Sequence, residues 1–393
     1  MKTDDLISKR VSRLAESPTL RLLAQVGALQ AQGKKILGFH IGEPDFDIPP
    51  NVAKIIKEAV DQGKTHYTHQ AGLPELREAI SQYYQSQFEL DFKMEHIVVT
   101  SGPKDTIFKL FGSIINPGDR VIVFDPHWEA YGEQVSFFGG HNVFVPRDKD
   151  TLSYRLDYLE DAIKQKPKAL VLADPDNPTG YKATPEELKA IADLARKYDV
   201  VVLSDEIYCL HCYDTEFKSI SNYYPEGTIL LSGASKPWAG TGLRVGFALF
   251  PEALGDVASH LAKLTGQASS SVNTPAQYGI IEALNNPETR GWENEMVKEF
   301  RKRRDLVEEM IGSLLGYRLG GAFYAAPQTP LHSEEFSKRL LQEKHVCVLP
   351  LSELSSGSHG YFDNRVRISY GTNIDLLEEG LARFRRFAET VQN

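Results

Sequence analysis

At 393 residues, with 41% apolar and 25% charged side chains, the chain has the size and make-up of a soluble globular protein with two domains, or one large domain and an appendage. Its formal net charge of −9, without a basic run or a basic-aromatic stripe, excludes a nucleic-acid surface, and no apolar stretch reaches membrane-spanning length. The run from Met1 to Ser8 has early acids and no apolar segment, which argues against a secretory leader; three cysteines cannot all pair and fit a reducing cytoplasm.

In chain order, the pattern predicts an N-terminal helix around Thr19 to Gln32 and another from Pro74 to Gln85. A series of β-rich runs follows: His96–Thr100, Arg120–Phe124, Asn142–Val145, Lys168–Ala173, Val200–Ser204, Thr228–Leu231 and Val245–Phe250. Helices fall between them. The one from Thr184 to Lys197 opens with Thr184 as cap, Pro185 at the first helical position and Glu187 completing a capping box. Continuous apolar strands separated by helices predict an α/β fold, with a mostly parallel seven-stranded sheet covered on both faces. Past about Glu282 the pattern changes to a long charged helix, about Arg290 to Leu315. Short strands follow near Ala322–Ala325, Val346–Leu349 and Arg365–Ser369, and a closing helix begins at Ile374. Residues 45–285 are therefore expected to form the large domain, with 1–44 and 286–393 forming a smaller α+β domain.

In such a sheet, ligands bind outside the carboxyl ends of the strands. Several loops there carry suitable side chains. Ser101-Gly102-Pro103-Lys104 opens a helix, whose amides present a positive end to an anion. Asp125-Pro-His-Trp128-Glu-Ala-Tyr131 offers an aromatic plate, although Trp128 reads equally well as a core residue. Asp174-Pro-Asp-Asn177-Pro-Thr-Gly180 presents an amide from a loop fixed by two prolines, and its composition is also that of a plain turn. Asp205-Glu-Ile-Tyr208 ends a buried strand with a carboxylate that needs a cationic partner, and a phenol lies three residues on. Ser232-Gly-Ala-Ser-Lys236 sets a lysine among small residues after a buried strand, where a partly desolvated amine can form a Schiff base. Arg244 follows between glycines and suits a phosphate. Cys209-Leu-His-Cys212 matches C-x-x-C spacing, but no second Cys/His pair stands at zinc-site distance, so neither a metal nor a redox role is expected.

Taken together and in this order, Asn-Pro-Thr-Gly, Asp-Glu-Ile-Tyr and Ser-Lys followed by Gly-x-Arg-x-Gly resemble the class I/II aminotransferase family of fold-type I enzymes that depend on pyridoxal 5′-phosphate (PLP). The similarity runs from about Thr19 to the last helix. The resemblance implies that Lys236 is the Schiff-base lysine and proton carrier, that Asp205 pairs with the pyridinium nitrogen, and that Asn177 and Tyr208 bond the ring oxygen. It further implies that Trp128 stacks on the ring, and that Gly102, Pro103, Lys104 and Arg244 hold the phosphate. Tyr67 resembles a tyrosine that reaches the phosphate of a neighbouring subunit, which implies a homodimer with shared sites. Arg367, with Gly42 and Asn177 beside it, resembles the clamp for the substrate α-carboxylate. The expected reaction is amino-group transfer from an L-amino acid to a 2-oxo acid. The alternative is a PLP-dependent lyase or cyclase on the same scaffold, acting by β/γ-elimination or ring closure on an amino acid such as a cationic guanidino one.

The chain departs from the family pattern at four positions. Gly233 stands three residues before the lysine where Ser is common, and Pro103 has no amide for the phosphate. Asp174 and Asp125 replace the usual Asn and aromatic residue. These departures raise the expectation of a site adapted to a cationic amino acid.

Overall fold

The computed structural model describes residues 6–357 and 359–392. Residues 1–5, part of the run read above for a leader, lie outside them. The strands are β1 (Leu37–Gly38), β2 (Ile97–Thr100), β3 (Arg120–Asp125), β4 (His141–Pro146), β5 (Ala169–Ala173), β6 (Val201–Asp205), β7 (Thr228–Gly233), β8 (Gly246–Leu249), β9 (Tyr324–Ala325), β10 (Val346–Cys347), β11 (Leu349–Pro350) and β12 (Val366–Ser369). Seven of them form one sheet in the order β2-β8-β7-β6-β5-β3-β4. All seven β-rich runs of the sequence belong to it.

The sheet is buried on both sides because successive side chains of an apolar strand point to opposite faces. Val121 and Val123 of β3 meet Ile107, Leu110 and Leu261 from the helices Pro103–Ile114 and Gly255–Ser269. Ile122 and Phe124, one residue out of phase, meet Leu159, Leu188 and Ile191 from the helices Leu156–Ile163 and Pro185–Lys197. Strands β4, β3, β5, β6 and β7 pair in parallel, while β8 is antiparallel to both β7 and β2. Strand β2 therefore points the same way as the parallel set. The carboxyl ends of β2, β3, β5, β6 and β7 all open on one edge.

Beside this sheet, β1 pairs in parallel with β10, and β11, β12 and β9 form an antiparallel trio. Leu37 and Phe39 share a buried cluster with Phe300, Val307, Phe336 and Phe384, so the N-terminal segment packs with the C-terminal part. The long helix runs Pro287–Ile311 and starts three residues earlier than expected, because Asn286 caps the amide of Glu288. It also ends earlier, in a short 3-10 turn at Gly312–Leu314. The helix Pro185–Lys197 carries the expected capping box, with Thr184 accepting from the Glu187 amide and Glu187 accepting from the Thr184 amide.

Candidate active site

A cavity of about 360 Å³ opens at the carboxyl ends of the strands. It is lined by Gly42, Pro103, Lys104, Trp128, Asn177, Asp205, Tyr208, Lys236, Arg244 and Arg367, ten of the twelve site residues expected from the sequence. Each arrives by the end of a strand or its following loop: Pro103 and Lys104 after β2, Trp128 after β3, Asn177 after β5, Asp205 and Tyr208 at and after β6, Lys236 after β7. Arg367 is contributed by β12, and Gly42 by the segment after β1.

Lys236 Nζ donates to the carbonyl of Gly42 at 2.6 Å. Burial lowers its pKa to about 8; Glu43 opposes that shift, while the cations Arg367 and Arg244 add to it. Asp205 is buried and accepts from the Tyr131 hydroxyl at 2.6 Å and from the Ile207 amide at 3.3 Å. Burial raises its pKa; the Tyr131 bond, the Ile207 amide and the charge of Lys236 work against that rise. Arg367 Nη1 donates to Asn177 Oδ1 at 3.0 Å and Nη2 to the His40 carbonyl at 2.6 Å. These bonds hold the guanidinium plane against the cavity wall. The Tyr208 and Tyr324 hydroxyls are 2.7 Å apart and bond each other.

Two glycines are dictated by close approach. At Gly102, φ is +98°, and a Cβ would lie 2.4 Å from Arg244 Nη2. The guanidinium thus lies directly over the start of the helix Pro103–Ile114. At Gly233, a Cβ would lie 2.6 Å from the Val245 carbonyl and 2.8 Å from Gly246 Cα. Strand pairing between β7 and β8 therefore requires this departure from Ser.

Two of the other departures, Asp125 and Asp174, also have structural causes. Asp125 accepts from the hydroxyls of Ser355 and Ser356 and from the Ser356 amide, each at 2.9 Å. Asp174 accepts from Lys182 Nζ at 2.5 Å and from the Ala183 amide at 2.8 Å. Both carboxylates tie loops together and neither lines the cavity, so they do not form the cation site expected from them. Tyr67 also does not line this chain's cavity; it is 85% exposed.

Sequence reasoning missed Tyr131, Tyr324, Glu129 and Ser17, all at or beside the cavity. For Tyr131 a signal existed, since it is a phenol in the same loop-to-helix segment after β3 as Trp128, three residues on. Tyr324 and Ser17 arrive from remote segments, and nothing local marks them.

The site fits a phosphorylated heteroaromatic cofactor. It combines a guanidinium over a helix start, a buried carboxylate with capacity for an N–H donor, a flat aromatic lining residue and an amine of lowered proton affinity. The family model described as aminotransferase class I and II matches residues 34–384. The chain belongs to this family. An aspartate/prephenate aminotransferase of Thermus thermophilus is 37% identical, with 97% of this chain and 98% of that protein covered. An asparagine–oxo-acid transaminase of Streptococcus mutans is 34% identical, covering 98% of this chain and 99% of that protein. Among solved structures, an aspartate aminotransferase of Thermus thermophilus with maleate superposes with a TM-score of 0.91 at 35% identity, covering 98% of this chain and 100% of that one. This aminotransferase is therefore a fold-type I enzyme that transfers an amino group between an L-amino acid and a 2-oxo acid, and its family implies PLP as cofactor. Transfer, rather than elimination or cyclisation, is the chemistry of the named relatives.

Proposed function

We propose that PLP is held in the cavity by Lys236, Asp205 and Arg244, and that the amino acid is received through its α-carboxylate at Arg367. The observation that carries this reading is the convergence of these four side chains on one cavity from three separate parts of the chain: the end of β6, the β7–β8 connection and β12. Gly102, Pro103 and Lys104 form the phosphate loop with Arg244. Asn177 and Tyr208 offer an amide and a phenol to the ring oxygen, Trp128 flanks the ring, and Gly42 lies beside the substrate carboxylate. Bound there, the cofactor supplies an electron sink for the pair left on Cα and takes up the amino group.

The chain's own residues do the rest. With a pKa of about 8, Lys236 Nζ is partly neutral near neutral pH, so it can bond a carbonyl carbon as a nucleophile and later carry a proton to and from the substrate Cα. Asp205, fixed by Tyr131, stabilises positive charge on a ring nitrogen. The guanidinium fork of Arg367 selects a carboxylate by paired bonds, which a decarboxylated amine cannot make.

The assembly read from the sequence is part of the proposal: a homodimer in which Tyr67 reaches the partner's phosphate. The Tyr67 loop supports it. His66 accepts from Thr274 Oγ1 at 2.7 Å and the Thr68 amide donates to Ser271 Oγ at 3.3 Å, so the exposed phenol is held outward by a pinned loop. The division into 45–285 and 1–44 with 286–393 is supported by the buried cluster shared between the N-terminal and C-terminal segments. We place the enzyme in the cytoplasm, a compartment that suits its free cysteines; no described helix is long and apolar enough to cross a membrane.

Lys236→Ala tests the reading. The variant should retain PLP binding, because the phosphate and ring contacts remain, and lose turnover of amino acid with a 2-oxo acid. Near-normal turnover by Lys236→Ala would overturn it.

A further inference from the structure

Glu43 and Glu129 are the charged cavity residues without a part in the proposed chemistry, and Glu43 accepts from the Thr241 hydroxyl. Glu129 follows Trp128 directly, stands at the start of the helix Ala130–Phe137 and lines the cavity together with Ser17, Thr19 and Leu20 of the N-terminal segment. Its Oε1 accepts from the Ser17 hydroxyl at 2.9 Å. Its Oε2 is buried and has no hydrogen-bond partner among the described residues. An ionised carboxylate can only accept, and a buried oxygen left unpaired is unfavourable unless something donates to it.

The surroundings narrow what that donor is. Lys104, a cation of the same cavity, sits 4.7 Å over the Trp128 ring. The N-terminal segment that brings Ser17 is anchored on the outside: the Ala15 amide donates to Glu133 at 3.1 Å, and Arg21 pairs with Glu353. Glu129 and Tyr324 line the same cavity; the Tyr324 phenol is raised mainly by burial, and the Glu129 charge adds to that rise. With Asp205, Lys236, Arg244 and Arg367 engaged at the strand ends, the Glu129 and Ser17 lip is left for the substrate's side chain.

We propose that Glu129 is a specificity-determining residue, accepting hydrogen bonds at Oε2 from an N–H group at the end of the substrate side chain and disfavouring a terminal carboxylate. The substrate class is an L-amino acid ending in an amide, amine or guanidine. This rests on the aminotransferase reading, with Lys236 and Arg367 in the roles given there.

The test compares kcat/KM for L-glutamine, L-lysine, L-arginine, L-glutamate and L-norleucine in wild type, Glu129→Val, Glu129→Gln and Ser17→Ala. Glu129→Val should lower kcat/KM for N–H-ended substrates by about tenfold or more, chiefly through KM, while L-norleucine stays within about twofold. Relative activity on L-glutamate should rise. Glu129→Gln keeps an acceptor and loses the charge, so a loss confined to L-lysine and L-arginine identifies a cationic substrate, whereas L-glutamine activity lost in Glu129→Val but kept in Glu129→Gln identifies an amide. An equal fall for all five substrates, reproduced by Ser17→Ala, would make Glu129 a latch for the N-terminal segment and overturn the proposal, as would unchanged ratios. Wild type that converts none of the five, nor any other amino acid, would instead overturn the aminotransferase reading.

Discussion

Lys236 and Asp205 carry opposite perturbations from the same burial: the amine's pKa falls and the carboxyl's rises. For the amine, the neutral and reactive fraction grows as pH rises through about 8. The rate at which the apo chain reacts with pyridoxal should therefore climb between about pH 7 and pH 9. Arg244 is one of the cations holding the amine down, so Arg244→Gln should move the midpoint upward, and pyridoxal reports this without needing the phosphate contact. A midpoint near the ordinary lysine value in wild type would contradict this. For the carboxyl, Tyr131 donates the bond that favours the charged form. Tyr131→Phe should raise the Asp205 pKa further and lower kcat by roughly tenfold, with the acid limb of the kcat–pH profile displaced to higher pH. A pH-independent loss would show that Tyr131 contributes packing only.

At the scale of elements, backbone proximity and capping decide which residues are tolerated. Gly233→Ser places a side chain against the Val245 carbonyl and Gly246, where β7 pairs with β8. It should destabilise by about 1–3 kcal/mol in denaturant unfolding and weaken cofactor binding, because the loop that carries Lys236 leaves the end of this strand. Thr184→Ala loses half of a capping box far from the cavity. It should cost about 1 kcal/mol and leave kcat/KM unchanged. Glu206, next to Asp205 on β6, shows the reverse design. Its Oε1 accepts from Ser204 and Ser219 while Oε2 is buried without a partner among the described residues, and burial raises its pKa from the usual 4.5 to about 8. The protonated form is favoured in the fold. The stability it contributes is complete below the ordinary value and is lost as pH rises through the folded value. The Tm of wild type should accordingly fall relative to Glu206→Gln between about pH 5 and pH 8, and parallel Tm curves would refute this.

On the scale of the whole molecule, the proposed shared site makes each cavity depend on two chains. Tyr67→Ala and Lys236→Ala should each be poorly active alone. Mixed and re-associated, a heterodimer holds one cavity with Lys236 and a partner's intact Tyr67, and activity should return toward half of wild type per active pair. No recovery from a mixture shown to exchange subunits would end the shared-site idea. The same scale separates what a linear reading reaches from what it does not. The seven strands, the capping box and ten of the lining residues were legible because each rests on a local rule: apolar continuity, a cap three residues from its partner, a loop after a strand end. The antiparallel course of β8 was not legible, since a short buried run carries no sign of its direction.

The sequence by itself determined the family, the sheet and the order of its chemistry-bearing loops, because motif spacing and burial pattern are properties of neighbours along the chain. Only the tertiary structure decided how the departures are used. Gly233 is needed where two backbones touch, Asp125 is turned to the remote Ser355–Ser356 loop and Asp174 to its own, and Glu129 is left lining the cavity. The same holds for Tyr131 on Asp205, Tyr324 on Tyr208 and Ser17 on Glu129. These pairs join residues 74, 116 and 112 positions apart, and whether a side chain of that kind meets solvent, a partner or a substrate is set by packing that no local pattern encodes.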